Sequence, residues 1–276
     1  MKICKTANIV ILVLTVMIGV VSCTNPTISE TRTVIDPWVL SEPADLFFIA
    51  GQSNAVGIGT YVDGRGSNIN MRAVRTNGNT DDSMWFRFMP GQNHSFGCVP
   101  QRTDIAGIEI RLSELVQNPS VLVKSAYGAT SMFDRWNLVY GDLGFYSFER
   151  LARAINDLDP VGITHGYIIW MQGESDAVNA NTSYYEPCLN QLLNAYESAF
   201  DAKGITHTTF IVETKTNSSS VPYTSQIVTA QMAVADAPNR VFIPTSGLAL
   251  KTDGVHLTMA SLHTVAEHIF SYVTSD

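Results

Sequence analysis

A chain of 276 residues can bury a sizeable core in one large domain or two small ones. Its composition, 45% hydrophobic and 15% charged with no low-complexity tract or repeat, is that of an ordinary globular protein, and a net charge of −8 argues against a nucleic-acid binder, which would show a basic face.

At the N-terminus, Lys2 and Lys5 precede the apolar run IVILVLTVMIGVV (9–21), followed by SCTN. A positive start, a short apolar run and a small residue before the cut describe a secretory signal over residues 1–22. The run is short of the ~20 residues that span a bilayer. The stretch Val20 to Cys23, VVSC, resembles the bacterial lipobox, so Cys23 is expected to carry lipid and to anchor an exported protein on the periplasmic or outer side of a bacterial membrane. A plain signal peptide is the alternative. Residues 24–41 are polar and aperiodic, which suits a tether, and the folded domain is expected over 42–276. Cys98 and Cys188 are then the two thiols that an exported protein could pair, and neither a zinc spacing nor an H-E-x-x-H motif occurs.

Beyond the tether, apolar strand runs are expected at 45–50, 121–126, 166–171, 208–213 and 240–244. Between them, apolar residues at three- and four-residue spacing predict helices over 107–117, 145–159, 183–204 and 224–237, with a last helix over 259–273. Gly204 stands where a C-terminal glycine cap is expected. This alternation predicts an α/β fold, a parallel sheet covered on both faces. The stretch 61–105, rich in Gly, Asn, Asp and Arg, fits no strand–helix unit and reads as a long irregular insertion.

In such sheets functional groups collect at the carboxyl ends of the strands. GQSNA (51–55) follows the first strand, YGATS (127–131) the second, QGESDA (172–177) the third, and TDGVHLT (252–258) the fifth. Four polar clusters on one rim point to an active site. A serine hydrolase needs a base, a carboxylate to orient it, and donors for an oxyanion. Ser53 is the candidate nucleophile. His165 and His207 lie at strand entrances, His263 and His268 in the last helix, and His94 in the insertion, where it stays open as an alternative. His256 alone combines a rim loop with a nearby carboxylate, Asp253, three residues earlier across an Asp-Gly turn. The plain alternative makes TDGVHLT a turn and helix cap.

GQSNA, GATS, WMQGESDA and DGVHLT, in this order at strand ends, together resemble the SGNH-hydrolase superfamily, and within it the sialate O-acetylesterase-related (SASA) carbohydrate acetylesterases. The resemblance covers roughly residues 43–272. It implies a three-layer α/β/α sandwich on a five-stranded parallel sheet, with Ser53 as nucleophile, His256 as base and Asp253 as its partner. It further implies an oxyanion hole from the backbone N–H groups of Ser53 and Gly128 and the side-chain amide of Gln172. The family commonly has two glycines in the second block, where this chain has Gly128 and then Ala129. No metal or organic cofactor is implied.

Glu174 and Asp176 are expected to hold the loop that presents Gln172. Trp85 and Trp136 fit packing better than sugar stacking, and Arg135 fits a surface ion pair. An α/β-hydrolase is disfavoured because Ala55 replaces the second glycine of G-x-S-x-G and only one strand precedes the serine. The expected function is removal of O-acetyl groups from a carbohydrate. The alternatives are a lipase or thioesterase of longer acyl esters and a non-catalytic glycan-binding lipoprotein.

Overall fold

A computed structural model describes residues 42–57 and 107–273, and the backbone of 71–75 and 85–86. The expected signal, Cys23, the tether to residue 41, His94, Cys98 and the Trp85 side chain lie outside the described residues.

Each of the five expected strands is present: β1 (Ala44–Gly51), β4 (Ser120–Ala126), β5 (Ile163–Met171), β6 (His207–Val212) and β7 (Arg240–Ile243). They pair in parallel in the order β4-β1-β5-β6-β7. All eight residues of β1 are buried, as a central strand covered on both faces requires. Successive side chains enter opposite cores. Leu46, Phe48 and Ala50 join Val123, Ile168 and Trp170 on one face; Phe47 and Ile49 join Leu122, Tyr167 and Phe210 on the other.

The first core is closed by α3 (Asp142–Leu158), α4 (Tyr185–Asp201) and α5 (Thr224–Ala235), through Leu151, Ile155, Leu189, Leu193 and Ile227. The second is closed by α2 (Ile108–Leu115) and α6 (Met259–Val273), through Ile108, Leu112, Leu262 and Ile269. The result is the three-layer α/β/α sandwich. Gly204 caps α4 at φ +65°, with the Ile205 N–H returning to the Phe200 carbonyl at 3.1 Å.

The stretch 61–105 is not wholly irregular. Its segments β2 (Met71–Arg75) and β3 (Trp85–Phe86) extend the sheet beyond β4, β2 in parallel and β3 antiparallel, to seven strands in the order β3-β2-β4-β1-β5-β6-β7. β2 is held by backbone pairing to β4 on one side and β3 on the other, for which no apolar side-chain pattern is needed.

Candidate active site

The polar clusters meet through main-chain bonds at the carboxyl ends of the central strands. The Gly51 carbonyl accepts from Tyr127 N–H at 2.9 Å, and Gln52 N–H donates to the Met171 carbonyl at 2.9 Å. Gly51 is required at this junction: its φ is +140°, and a Cβ there would lie 2.1 Å from the Met171 carbonyl oxygen. The chain then turns into a single helical turn, α1 (Ser53–Val56), with Ser53 first and almost fully buried. Lys124, inward-facing on β4, fixes the far end of α1 by donating to the Val56 carbonyl at 3.0 Å while paired with the buried carboxylate of Glu109.

Asn54 joins this turn to the C-terminal loop. Its Nδ2 donates to Glu174 Oε1 at 2.6 Å and to the Val255 carbonyl at 3.3 Å, and its Oδ1 accepts from Leu257 N–H at 2.9 Å. The residue after Ser53 therefore grips both neighbours of His256. In that loop, Asp253 Oδ2 lies 2.8 Å from His256 Nδ1, while Oδ1 accepts from the N–H groups of Val255 and His256 at 2.8 and 2.9 Å. Burial by itself would raise the Asp253 carboxyl; the backbone and imidazole N–H groups of His256, with Val255 N–H, outweigh it and bring its pKa down to about 2. No hydrogen bond joins Ser53 to His256 among the described residues, so Nε2 is left without a protein partner.

Gln172 is set by groups from three elements. Its carbonyl accepts from Tyr185 Oη (2.7 Å), Gln231 Nε2 (2.9 Å) and Thr214 Oγ1 (3.1 Å). Its side-chain Nε2 faces three acceptors, Thr130 O at 3.0 Å, Gln52 Oε1 at 3.2 Å and a close contact to Asp176 Oδ2, while its Oε1 is buried without a partner among the described residues. Asp176 also accepts from Met132 N–H and from Tyr184 Oη at 2.6 Å. Both carboxyls hold loops, as expected from the sequence: Asp176 joins the Gln172 loop to the segment after YGATS, and Glu174 supports Asn54. Burial raises both carboxyls above their ordinary range.

In the second cluster the turn Gly128–Ala129 is exposed, and Ala129 adopts φ +56°, a left-handed backbone that ordinarily selects glycine. The N–H groups of Ser53 and Gly128 have no protein partner among the described residues. A π-helical turn (Met132–Trp136) follows, in which Trp136 is fully buried against Trp170 and donates to Thr130 Oγ1 at 2.9 Å, so its role is packing. Arg135 forms an exposed ion pair with Asp142. His165 stacks on Tyr167 and His207 on Phe200 at the strand entrances; His263 and His268 lie on α6. Cys188 is a free thiol whose sulfur receives Asn137 Nδ2 at 3.2 Å.

The sequence reading missed the roles of Asn54 and Gln52. Their side chains act across more than 100 residues of chain, and a strand-end polar run of this kind was the only signal for them.

A parallel three-layer sandwich that gathers a serine, an aspartate-bound histidine and buried amides on one rim is the scaffold of a carboxylic ester hydrolase. The chain belongs to the SASA family, described as carbohydrate esterase, sialic acid-specific acetylesterase, whose sequence model matches residues 43–274. Its fold is similar to that of an Arabidopsis thaliana protein (17% identity, TM-score 0.67, 84% of this chain and 99% of that one). It is similar also to NanS (12%, 0.62, 87% and 100%) and to a carbohydrate acetylesterase from Xanthomonas citri (13%, 0.53, 81% and 54%). No curated protein sequence matches this chain.

Proposed function

We propose that the chain is a serine esterase that removes O-acetyl groups from a carbohydrate. The observation that carries this reading is the Asn54 clasp, which holds the Ser53 turn against the loop in which Asp253 engages His256 Nδ1. Asp253 fixes the tautomer with the proton on Nδ1, and His256 Nε2 takes the proton from Ser53 as its oxygen attacks the ester carbonyl. The oxyanion is held by the N–H groups of Ser53 and Gly128 and by Gln172. The longest of the three Nε2 contacts, to Gln52 Oε1 at 3.2 Å, is the one the oxyanion would replace. His256 returns its proton to the leaving sugar oxygen. Water, activated by the same imidazole, then releases acetate from the acyl-serine. The acyl preference for acetate is supported by the family and by the carbohydrate acetylesterase from Xanthomonas citri, whose fold is similar.

We place the enzyme outside the cytoplasm on a lipid attached to Cys23; Cys23→Ala should release it from the membrane fraction. The activity is tested by acetate release from acetylated xylan, an O-acetylated sialoglycoprotein and p-nitrophenyl esters of rising acyl length. Short-chain preference that disappears in both Ser53→Ala and His256→Ala is expected. Preference for long chains would move the enzyme to the lipases, and full activity in Ser53→Ala would end the serine mechanism.

A further inference from the structure

Beside the segment that follows YGATS stands an aromatic cluster that the chemistry above does not use. Phe133 and Tyr140 are 51% and 62% exposed, far outside the behaviour of core aromatics such as Trp136 and Trp170, which are fully buried. Phe133 meets Tyr140 edge-on at 6.3 Å between ring centroids and Tyr184 at 5.0 Å, so the two exposed rings continue onto the half-buried Tyr184. The surface is anchored to the site. Tyr184 Oη donates to Asp176 Oδ1, and Asp176 also accepts from Met132 N–H, next to Phe133, and from the Gln172 amide. Along the chain, Phe133 lies five residues beyond Gly128, at most about 18 Å even fully extended.

Resting on the esterase reading, we propose that Phe133, Tyr140 and Tyr184 form a stacking subsite for a sugar ring of the acetylated glycan, adjoining the loop that binds the ester. The apolar C–H face of a pyranose lies on an aromatic ring, and its hydroxyl edges need polar neighbours. Ser131, Asp134 and Arg135 supply them on the same turn, with Asp142 paired to Arg135 from the start of α3. Asp134 and the charge-paired Arg135 and Asp142 give this turn no excess of basic groups to hold an anionic membrane surface, and membership of a carbohydrate esterase family favours a glycan as the occupant. The Tyr184–Asp176 bond holds the platform before substrate arrives, so less ordering is needed on binding. The subsite thus separates recognition of the sugar from recognition of the acetyl group.

The test compares kcat/KM on acetylated xylan and on an O-acetylated sialoglycoprotein with that on p-nitrophenyl acetate, using the full chain and its Phe133→Ala, Tyr140→Ala and Phe133→Trp variants. Aromatic contacts of this kind are worth a factor of about two to ten each. The glycan-to-small-ester ratio should fall by that factor in each alanine variant, through KM, and Phe133→Trp should restore it. Equal losses on glycan and small ester, or no change in the ratio, overturn the subsite. A second readout is independent of turnover: retardation of Ser53→Ala in native gels containing each glycan, lost when Phe133→Ala is added. If the wild type hydrolyses nothing but Ser53→Ala is still retarded through Phe133, the esterase reading fails and the subsite stands. If neither glycan retards Ser53→Ala, the subsite fails whatever the esterase does.

Discussion

Asn54→Ala removes the two hydrogen bonds that join the Ser53 turn to the loop of His256 and a third that joins it to Glu174. The Leu257 N–H and the Glu174 carboxyl are both buried, and the substitution takes the Asn54 side chain from each. A buried polar group that loses its partner costs about 1–3 kcal/mol, so with two such groups the expected loss of stability is about 2–6 kcal/mol. For a domain of this length that is a fall in Tm of about 4–24 °C. The effect on turnover is separable from the effect on stability. Misplacement of a reacting group by ~1 Å costs on the order of 10²-fold, so kcat on p-nitrophenyl acetate should fall by about that much with KM little changed. Thermal unfolding by circular dichroism and steady-state kinetics, both well below the lowered Tm, measure the two losses on one preparation. A folded Asn54→Ala protein with kcat within about threefold of wild type would show that His256 does not depend on the clasp.

Asp253→Asn should leave the fold intact, since the side chain is 46% exposed, and lower kcat by as much as ~10⁴ because the imidazole then favours the wrong tautomer; activity within tenfold of wild type would remove Asp253 from the mechanism. The same carboxyl has a folded pKa of about 2 against ~3.9 unfolded, so its contribution to stability is present above pH ~4 and is lost as pH falls through about 2. The Tm difference between wild type and Asp253→Asn should shrink over that window. For Glu174 the sign is opposite: burial raises its folded pKa, so its contribution is full below ~4.3 and is lost as pH rises through the folded value. Glu174→Gln should therefore gain stability relative to wild type as pH increases from about 4, and a pH-independent Tm difference would refute this. Ala129→Gly relieves the left-handed backbone at φ +56° and should raise stability by up to about 1 kcal/mol, a Tm gain of about 2–4 °C; a lower Tm would show that Ala129 is not strained.

The parts of the fold that could be read from the chain are those in which burial writes a local pattern. β1 and β5 are short continuous apolar runs because both of their faces are covered, and α6 matches its expected span of 259–273 because its apolar residues recur at helical spacing. β2 and β3 left no such mark. MRAVR carries two arginines and WF is two residues long, and both owe their place to a neighbouring backbone. The π-helical turn at Met132–Trp136 was invisible for a similar reason: its Met132 N–H is claimed by Asp176, 44 residues away. At the site, the pairing of Asp253 with His256 was legible because the two bond within one turn. Asn54 was not, because its partners lie 120 to 203 residues away. The surroundings of Gln172 were equally hidden, since the groups that pin it come from α4, α5 and the ends of other strands.

The clasp between Asn54 and the segment Val255–Leu257 also bears on how the protein is made. It closes across 201 and 203 residues, so the Ser53 turn leaves the ribosome long before its counterpart. A growing chain holds the first half of the centre without the second, and no nascent fragment ending before Leu257 can complete it. Until that counterpart has been made, the Ser53 turn stands without the bonds that tie it to Val255 and Leu257.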